Sequence, residues 1–205
     1  MLIAGLTGSI GMGKSTLAAH LRTRGIPVFD ADAEVHRLYA GSAAPLIEAA
    51  FPGSSTTAGA VDRAKLSLLL AKDPAGFKQL ESIIHPLVRE AERAFLNRES
   101  AKGAKLAVLE IPLLFETGGE TLVDAVILAS TSEDVRRERV LQRPGMSPEK
   151  LNLILTRQGN EADKRSRADF VVDTGTGHEV SLATLDRVLD KLARRQGTAF
   201  ARHWA

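Results

Sequence analysis

Short apolar runs separated by longer stretches of helical spacing set the rhythm of this chain. Leu2, Ile3, Ala4 and Leu6 form the first run, of a length fit for a buried parallel strand. Ser15 to Arg24 then carries Leu17, Ala18 and Leu21 at helical spacing and ends at Gly25. Ile26-Pro27-Val28-Phe29 is a second run, closing on Asp30-Ala31-Asp32. Residues 33 to 104 lack strand alternation and read mostly helical. There Asp73-Pro74 and His85-Pro86 each place Pro where a first helical turn would start, and Leu87, Ala91, Ala94 and Phe95 continue an apolar face. Leu106-Ala107-Val108-Leu109, ending on Glu110, is a third run, and Ala125 to Ala129 a fourth, with a helix start at Thr131 to Asp134. The spacing predicts a basic helix holding Arg136, Arg137, Arg139 and Arg143, then a second from Ser147-Pro148 leading to Arg157, Lys164, Arg165 and Arg167. Phe170-Val171-Val172 is a fifth strand, and Val180, Leu182, Leu185, Val188, Leu189 and Leu192 mark a closing helix. Strands alternating with helices predict an α/β fold, a parallel sheet covered on both faces.

Length and composition narrow this picture. A chain of 205 residues builds one sizeable core with room for an insertion. A hydrophobic content of 44% and a net charge of +2 are ordinary for a globular protein and create no strong field for nucleic acid or anionic membrane. Without cysteine there is no disulfide framework, thiolate nucleophile or Cys-based zinc site, which fits a reducing cytoplasm. No basic segment precedes the first apolar run, and no stretch approaches the roughly eighteen apolar residues of a membrane span. The expectation is a cytoplasmic protein with no nucleic-acid or membrane partner and no obligate protein partner inferred; the charge balance by itself names none.

The chemistry enters between the first run and the first helix. Gly8-Ser9-Ile10-Gly11-Met12-Gly13-Lys14-Ser15 matches the G-x-x-x-x-G-K-[ST] phosphate-binding loop in the strand-to-helix context that the motif requires. Gly8, Gly11 and Gly13 permit backbone angles and approaches that a Cβ forbids, so that successive N–H groups turn inward around phosphate oxygens. The positive end of the helix adds to them. Lys14 would reach the β- and γ-phosphates, and the Ser15 hydroxyl a Mg²⁺ ion bridging them. A dinucleotide-binding G-x-G-x-x-G turn fails because Thr16 stands where its last Gly is needed.

Further candidates sit at strand ends. Asp32 follows the second strand, where a carboxylate can orient an attacking alcohol and accept its proton; the competing reading is an N-cap for the helix that follows. Asp30 is the weaker candidate. Glu110 ends the third strand like an acid that assists magnesium through a bound water, or else it caps or pairs locally. The arginines from Arg136 to Arg167 read as a mobile basic lid over a phosphoryl group, against the alternative of a solvated helix face. Arg139 and Arg143, a helical turn apart, can face one ligand. His85 alone has no metal-ligand spacing and reads as a local cap or packed side chain. Asp73-Pro74-Ala75-Gly76 imitates the D-x-x-G of GTP switches, but no N-K-x-D for guanine accompanies it.

Several strings taken in order resemble the dephospho-coenzyme A kinase family. They are Gly5-Leu6-Thr7-Gly8 leading into Gly11-Met12-Gly13-Lys14-Ser15-Thr16; Asp30-Ala31-Asp32; Arg63 with Leu66; Leu80-Glu81 before His85-Pro86; Pro112-Leu113-Leu114-Phe115-Glu116; Arg139 with Gln142-Arg143; Arg157-Gln158; and Ala168-Asp169-Phe170-Val171. The resemblance implies a P-loop NTPase three-layer sandwich in one domain. Its core would be about 1–31, 105–132 and 168–205, with a helical acceptor region about 32–104 and a lid about 133–167. It implies transfer of the ATP γ-phosphate to the 3′-hydroxyl of the dephospho-coenzyme A ribose. Asp32 would be the proton acceptor, Lys14 and Arg139 the charge stabilisers, and Gly11, Met12, Gly13, Lys14, Ser15 and Thr16 with Arg143 the ATP site. Arg63, His85 and Arg89 would join Asp32 on the acceptor side, and Ser15 and Glu110 would serve Mg²⁺. Ser9 and Met12 depart from the Gly and Ser of many members, a change expected to alter loop detail without removing activity.

Overall fold

All six residues of β1 (Leu2–Thr7) are buried, as an apolar run without alternation requires of a strand covered on both faces. β1 pairs in parallel with β3 (Leu106–Glu110), Leu6 opposite Glu110. On its other side it pairs with β4 (Ala125–Ser130), Ala4 opposite Ala125. β5 (Phe170–Asp173) continues past β4, and β2 (Val28–Asp30) lies past β3, so the five-stranded parallel sheet runs β2-β3-β1-β4-β5. Chain order reverses across β1, and the carboxyl ends of strands at such a point open onto a ligand crevice. This computed structural model describes residues 1–73 and 75–205, without the side chains of Lys72 and Arg157. The helix start expected at Asp73-Pro74 and the side chain of Arg157 lie outside the described residues.

The chain divides into two compact units, Met1–Phe29 with Leu96–Ala205, and Asp30–Phe95. In the first unit, α1 (Lys14–Thr23) buries Leu17, Ala18 and Leu21, and α9 (His178–Leu192) buries Ser181, Leu185, Val188 and Leu192. Both feed the core built on β1 and β4. Asp124 pins the C-terminal segment here, its Oδ1 accepting the N–H of Thr198 at 2.6 Å and of Ala199 at 2.8 Å. The last helical turn, Phe200–Trp204, buries Trp204, whose indole N–H donates to the Leu122 carbonyl at 2.8 Å.

Between β4 and β5 the unit carries α6 (Glu133–Leu141), α7 (Pro148–Arg157) and α8 (Glu161–Arg167). Arg143 therefore lies beyond the helix expected to hold it. Pro144 follows it, and a residue before proline is pushed out of the α region. The second basic helix is two: it starts at Ser147 as expected, then breaks at Gln158-Gly159, and Asn160 caps α8 through the Ala162 N–H at 2.7 Å.

The second unit is helical: α2 (Ala31–Tyr39), α3 (Ala44–Ala50), α4 (Arg63–Lys72) and most of α5 (Gly76–Ala101). Its own core gathers Leu38, Ile47, Leu66, Leu70 and Ile84. His85-Pro86 starts no helix, contrary to expectation. Pro86 sits inside the 26 residues of α5, where proline costs about 3 kcal/mol through its missing N–H and the clash of its ring with the preceding turn. The apolar face that runs through it, with Ile84 and Leu87 in the core, carries the helix across. Among the described residues, no helix is long and apolar enough to cross a membrane.

Candidate active site

The loop from Gly8 to Gly13 joins β1 to α1 in the strand-to-helix setting that its sequence demands. Gly13 occupies the N-cap of α1 at φ +83°, ψ +16°, and no side chain caps the helix, so its dipole end is left for an anion. A Cβ at Gly13 would meet Thr174 Oγ1 at 2.9 Å, and one at Gly11 would meet Val140 Cγ2 at 2.6 Å. Both positions need glycine for conformation and for space. Met12 turns its side chain into the core at 1% exposure, which accounts for an apolar residue inside a phosphate-binding loop. Lys14 folds its ammonium over the loop, donating to the Gly8 carbonyl at 2.9 Å. Ser15 and Thr16 are exposed, and among the described residues their hydroxyls take no protein hydrogen bond.

The segment expected as a basic lid braces this loop at several points. Arg139 donates from Nη2 to the Thr174 carbonyl at 2.7 Å and from Nη1 to Thr174 Oγ1 at 2.9 Å, with the Gly11 carbonyl at 3.5 Å. The Ile10 N–H donates to Gln158 Oε1 at 3.1 Å. Ser9 Oγ donates to Glu161 Oε2 and accepts from Lys164 Nζ, both at 3.3 Å. Lys164 is 1% exposed and pairs with Glu116 Oε1 at 2.7 Å, so it is a buried strut and no surface lid cation. Burial pushes the Glu116 carboxyl up, but the Lys164 ammonium and the Gly159 N–H outweigh it and hold the group below the usual carboxylate range. Arg165 reaches Ser130 Oγ at 2.9 Å. Arg167 pairs with Glu120 and Asp163 and lies over the Phe115 ring. Arg143 is exposed in the turn after α6 and cannot share a helical face with Arg139.

Glu110 closes β3 with 6% exposure, Arg22 Nη2 standing 3.6 Å from its Oε2. Among the described residues no cluster of three His, Asp or Glu side chains could hold a metal ion. The exposed Ser15 hydroxyl and the Glu110 carboxylate are oxygen donors of the kind magnesium takes, one or two protein ligands beside water and phosphate oxygens.

In the helical unit the two aspartates divide their work. Asp30 is the N-cap of α2, its Oδ1 accepting from the Ala33 N–H at 2.9 Å. Asp32, in the first turn, is exposed, and its carboxylate makes no hydrogen bond or ion pair among the described residues. The capping alternative for Asp32 thus falls to Asp30. Arg63 heads α4 and its Nη1 lies 3.0 Å from His36 Nε2. The two line a cavity of about 150 Å³ with Tyr39 and Val61. Burial raises the Tyr39 hydroxyl above its ordinary value and the Arg63 charge pulls the other way. His85 is exposed on α5, whereas Arg89 pairs with the buried Glu92 at 3.1 Å.

The dephospho-CoA kinase family model matches residues 2–179. The chain belongs to the dephospho-CoA kinase family. The activity of that family is the last step of coenzyme A biosynthesis, with ATP as phosphoryl donor. A dephospho-CoA kinase of Rhodopseudomonas palustris is 53% identical over 194 residues, covering 95% of this chain and 97% of the relative. One of Mesorhizobium japonicum is 52% identical, covering 97% and 100%. Among solved structures, a Thermus thermophilus protein superposes with a TM-score of 0.81 at 38% identity, covering 93% of this chain and 97% of the other. Dephospho-CoA kinase from Campylobacter jejuni does so with a TM-score of 0.68 at 25% identity, covering 94% and 97%. A shikimate kinase of Bacteroides thetaiotaomicron, at 16% identity and a TM-score of 0.52, shares the fold.

Sequence reasoning missed Thr174, Glu161 and His36. Thr174 carried a usable signal, since it follows an apolar strand just as Asp32 and Glu110 do. Glu161 and His36 carried none, because their partners, Ser9 and Arg63, lie 152 and 27 residues away.

Proposed function

We propose that this chain transfers the γ-phosphoryl group of ATP to the 3′-hydroxyl of dephospho-coenzyme A, with Asp32 as proton acceptor and Lys14 and Arg139 as charge stabilisers. The observation that carries the assignment of Asp32 is its division of labour with Asp30. One carboxylate is consumed in capping α2, and the other is exposed without a partner among the described residues. A carboxylate in that state can accept the proton of an alcohol as the new P–O bond forms.

The loop amides and the N-terminus of α1 would cradle the β- and γ-phosphates, with Ser15 and Thr16 hydroxyls turned to solvent. Lys14 would leave the Gly8 carbonyl for the phosphate oxygens, exchanging a neutral acceptor for an anionic one. As the bond to the ADP oxygen breaks, Lys14 and Arg139 would meet the charge that spreads over the transferred group. Magnesium, held through Ser15 and a water on Glu110, would supply Lewis-acid neutralisation of the phosphate oxygens. Arg63, with His36 beside it, and Arg89 suit an anionic acceptor. His85 and Arg143, both exposed, are the assignments with the least support from packing.

A coupled assay of ADP release over a panel of acceptor alcohols tests the reading. Turnover should appear with dephospho-coenzyme A and not with shikimate or nucleoside monophosphates. Asp32→Asn should preserve ATP binding by calorimetry while turnover falls by about a hundredfold or more, the span of a general base. Turnover on another alcohol alone would discard the acceptor; an unchanged turnover number in Asp32→Asn would discard the base.

A further inference from the structure

Arg139 does not stand alone beside the phosphate loop; a single buried hydroxyl joins the two. Thr174, directly after β5, is 7% exposed. Its N–H donates to the Ser130 carbonyl at 2.8 Å, which extends the parallel ladder and fixes its backbone. Its Oγ1 donates to the Met12 carbonyl at 3.0 Å while accepting Arg139 Nη1 at 2.9 Å, and its own carbonyl takes Nη2 at 2.7 Å. A hydroxyl has one proton. Once that proton is given to the loop, the oxygen faces the guanidinium as an acceptor, so the chain runs from guanidinium to hydroxyl to loop carbonyl, each bond polarising the next.

We propose that Thr174 is a positioning residue for phosphoryl transfer, setting the guanidinium of Arg139 and the Met12 peptide of the phosphate loop in one register. Three constraints converge on it. Two contacts from one residue fix the plane of a forked guanidinium, which one contact would leave free to swing. The Met12 side chain is buried and its N–H donates to the Ser9 carbonyl at 3.2 Å, so the bond from Thr174 to its carbonyl completes the hold on that residue. Gly13 packs against the Thr174 side chain so closely that a Cβ there would lie 2.9–3.0 Å from three of its atoms, leaving little slack. Without the hydroxyl, the Met12 carbonyl and Arg139 Nη1 lose a shared partner in a place with little access for water.

The inference rests on the reading of Arg139 as a charge stabiliser, and the experiment separates the two. Steady-state kinetics with ATP and dephospho-coenzyme A would compare Thr174→Val, Thr174→Ser, Arg139→Ala and the double variant Arg139→Ala/Thr174→Val. We expect Thr174→Val to lose roughly ten- to a hundredfold in kcat, the scale of an ångström of misplacement, with the KM for dephospho-coenzyme A little changed. Thr174→Ser, which keeps the hydroxyl, should restore turnover. The double variant should lose less than the product of the two single losses, because the part of the Thr174 role that runs through Arg139 adds nothing once that residue is gone. Equal losses in Thr174→Ser and Thr174→Val, or losses that multiply in the double variant, would overturn the role of Thr174 and leave Arg139 in place. Wild-type kcat in Arg139→Ala would overturn both. Should Thr174→Val not fold, Thr174→Ala against Thr174→Ser carries the same contrast.

Discussion

The ammonium of Lys164 lies 2.7 Å from Glu116 Oε1, in a position that leaves Lys164 only 1% exposed. Lys164 also donates to Ser9 Oγ at 3.3 Å, and Glu116 accepts the Gly159 N–H at 2.9 Å. This ion pair, buried on its Lys164 side, thus ties α8 and the turn before it to the first residues of the phosphate loop. Desolvating the Lys164 ammonium is repaid only while the Glu116 carboxylate faces it, so removing that carboxylate leaves an uncompensated buried charge.

Glu116→Leu, which leaves the buried Lys164 ammonium without its partner, should therefore lower unfolding stability by about 3 kcal/mol, and adding Lys164→Met should recover part of that loss. Urea unfolding of the two singles and the double measures the coupling; strictly additive losses would show that the pair contributes nothing as a pair. Because the folded state holds the Glu116 carboxyl below its ordinary range, its contribution is present above the unfolded pKa. It fades as pH falls through the lowered folded value. Glu116→Gln should lack that acid-side decline.

Gly13→Ala should damage the loop in two ways. At φ +83° a side chain is strained, by about 1–2 kcal/mol for a residue other than glycine. Its Cβ would also press on Thr174 at 2.9 Å. Thermal melting should show the first cost and calorimetric titration of ATP with Mg²⁺ the second. Wild-type ATP affinity in a folded Gly13→Ala would mean that the loop is not the phosphate cradle.

Legibility from sequence followed the range of each interaction. The five strands of the sheet were readable because each is a short apolar run at a parallel-sheet length, and the loop was readable because its glycines and Lys14 act within eight residues of one another. Pro86 misled because a local rule about proline ignores the long apolar face of α5, which outweighs one missing hydrogen bond. Arg143 misled for the opposite reason: helical spacing was extended across Pro144, where a local rule should have stopped it. Lys164 looked like its basic neighbours in sequence. Only folding brings Glu116 and Ser9 to it, 48 and 155 residues away along the chain, and spacing rules do not reach that far.

The pair Asp30 and Asp32 offers a crossed test within three residues. Asp30→Ala removes a cap and should cost about 1 kcal/mol of stability, with turnover largely kept. Asp32→Ala removes no hydrogen bond among the described residues and should leave the melting temperature close to wild type while turnover collapses. Melting curves and ADP-release assays on the two variants give the comparison. If Asp32→Ala melted early and turned over normally, its carboxylate would be structural.

Glu92 makes the helical unit sensitive to pH near neutrality. The side chain is 3% exposed on α5. Burial pushes its carboxyl from an ordinary 4.5 up to about 7, against the opposing pull of Arg89. The folded state therefore holds a proton that the unfolded chain has released, and stability must fall as pH rises between those two values. The full contribution is present below 4.5 and lost by the time pH has passed 7. The difference is of order 3 kcal/mol for a shift of this size. Urea unfolding at pH 5 and pH 8 should show wild type losing stability across the interval, with Glu92→Gln, which cannot ionise, much flatter. Arg89 is the ion partner of Glu92, so ionisation should also strengthen its hold on that guanidinium. If Arg89 serves the acceptor, the KM for dephospho-coenzyme A should vary with pH through the same interval in wild type and not in Glu92→Gln. Parallel stability profiles for the two proteins would remove Glu92 as the titrating group.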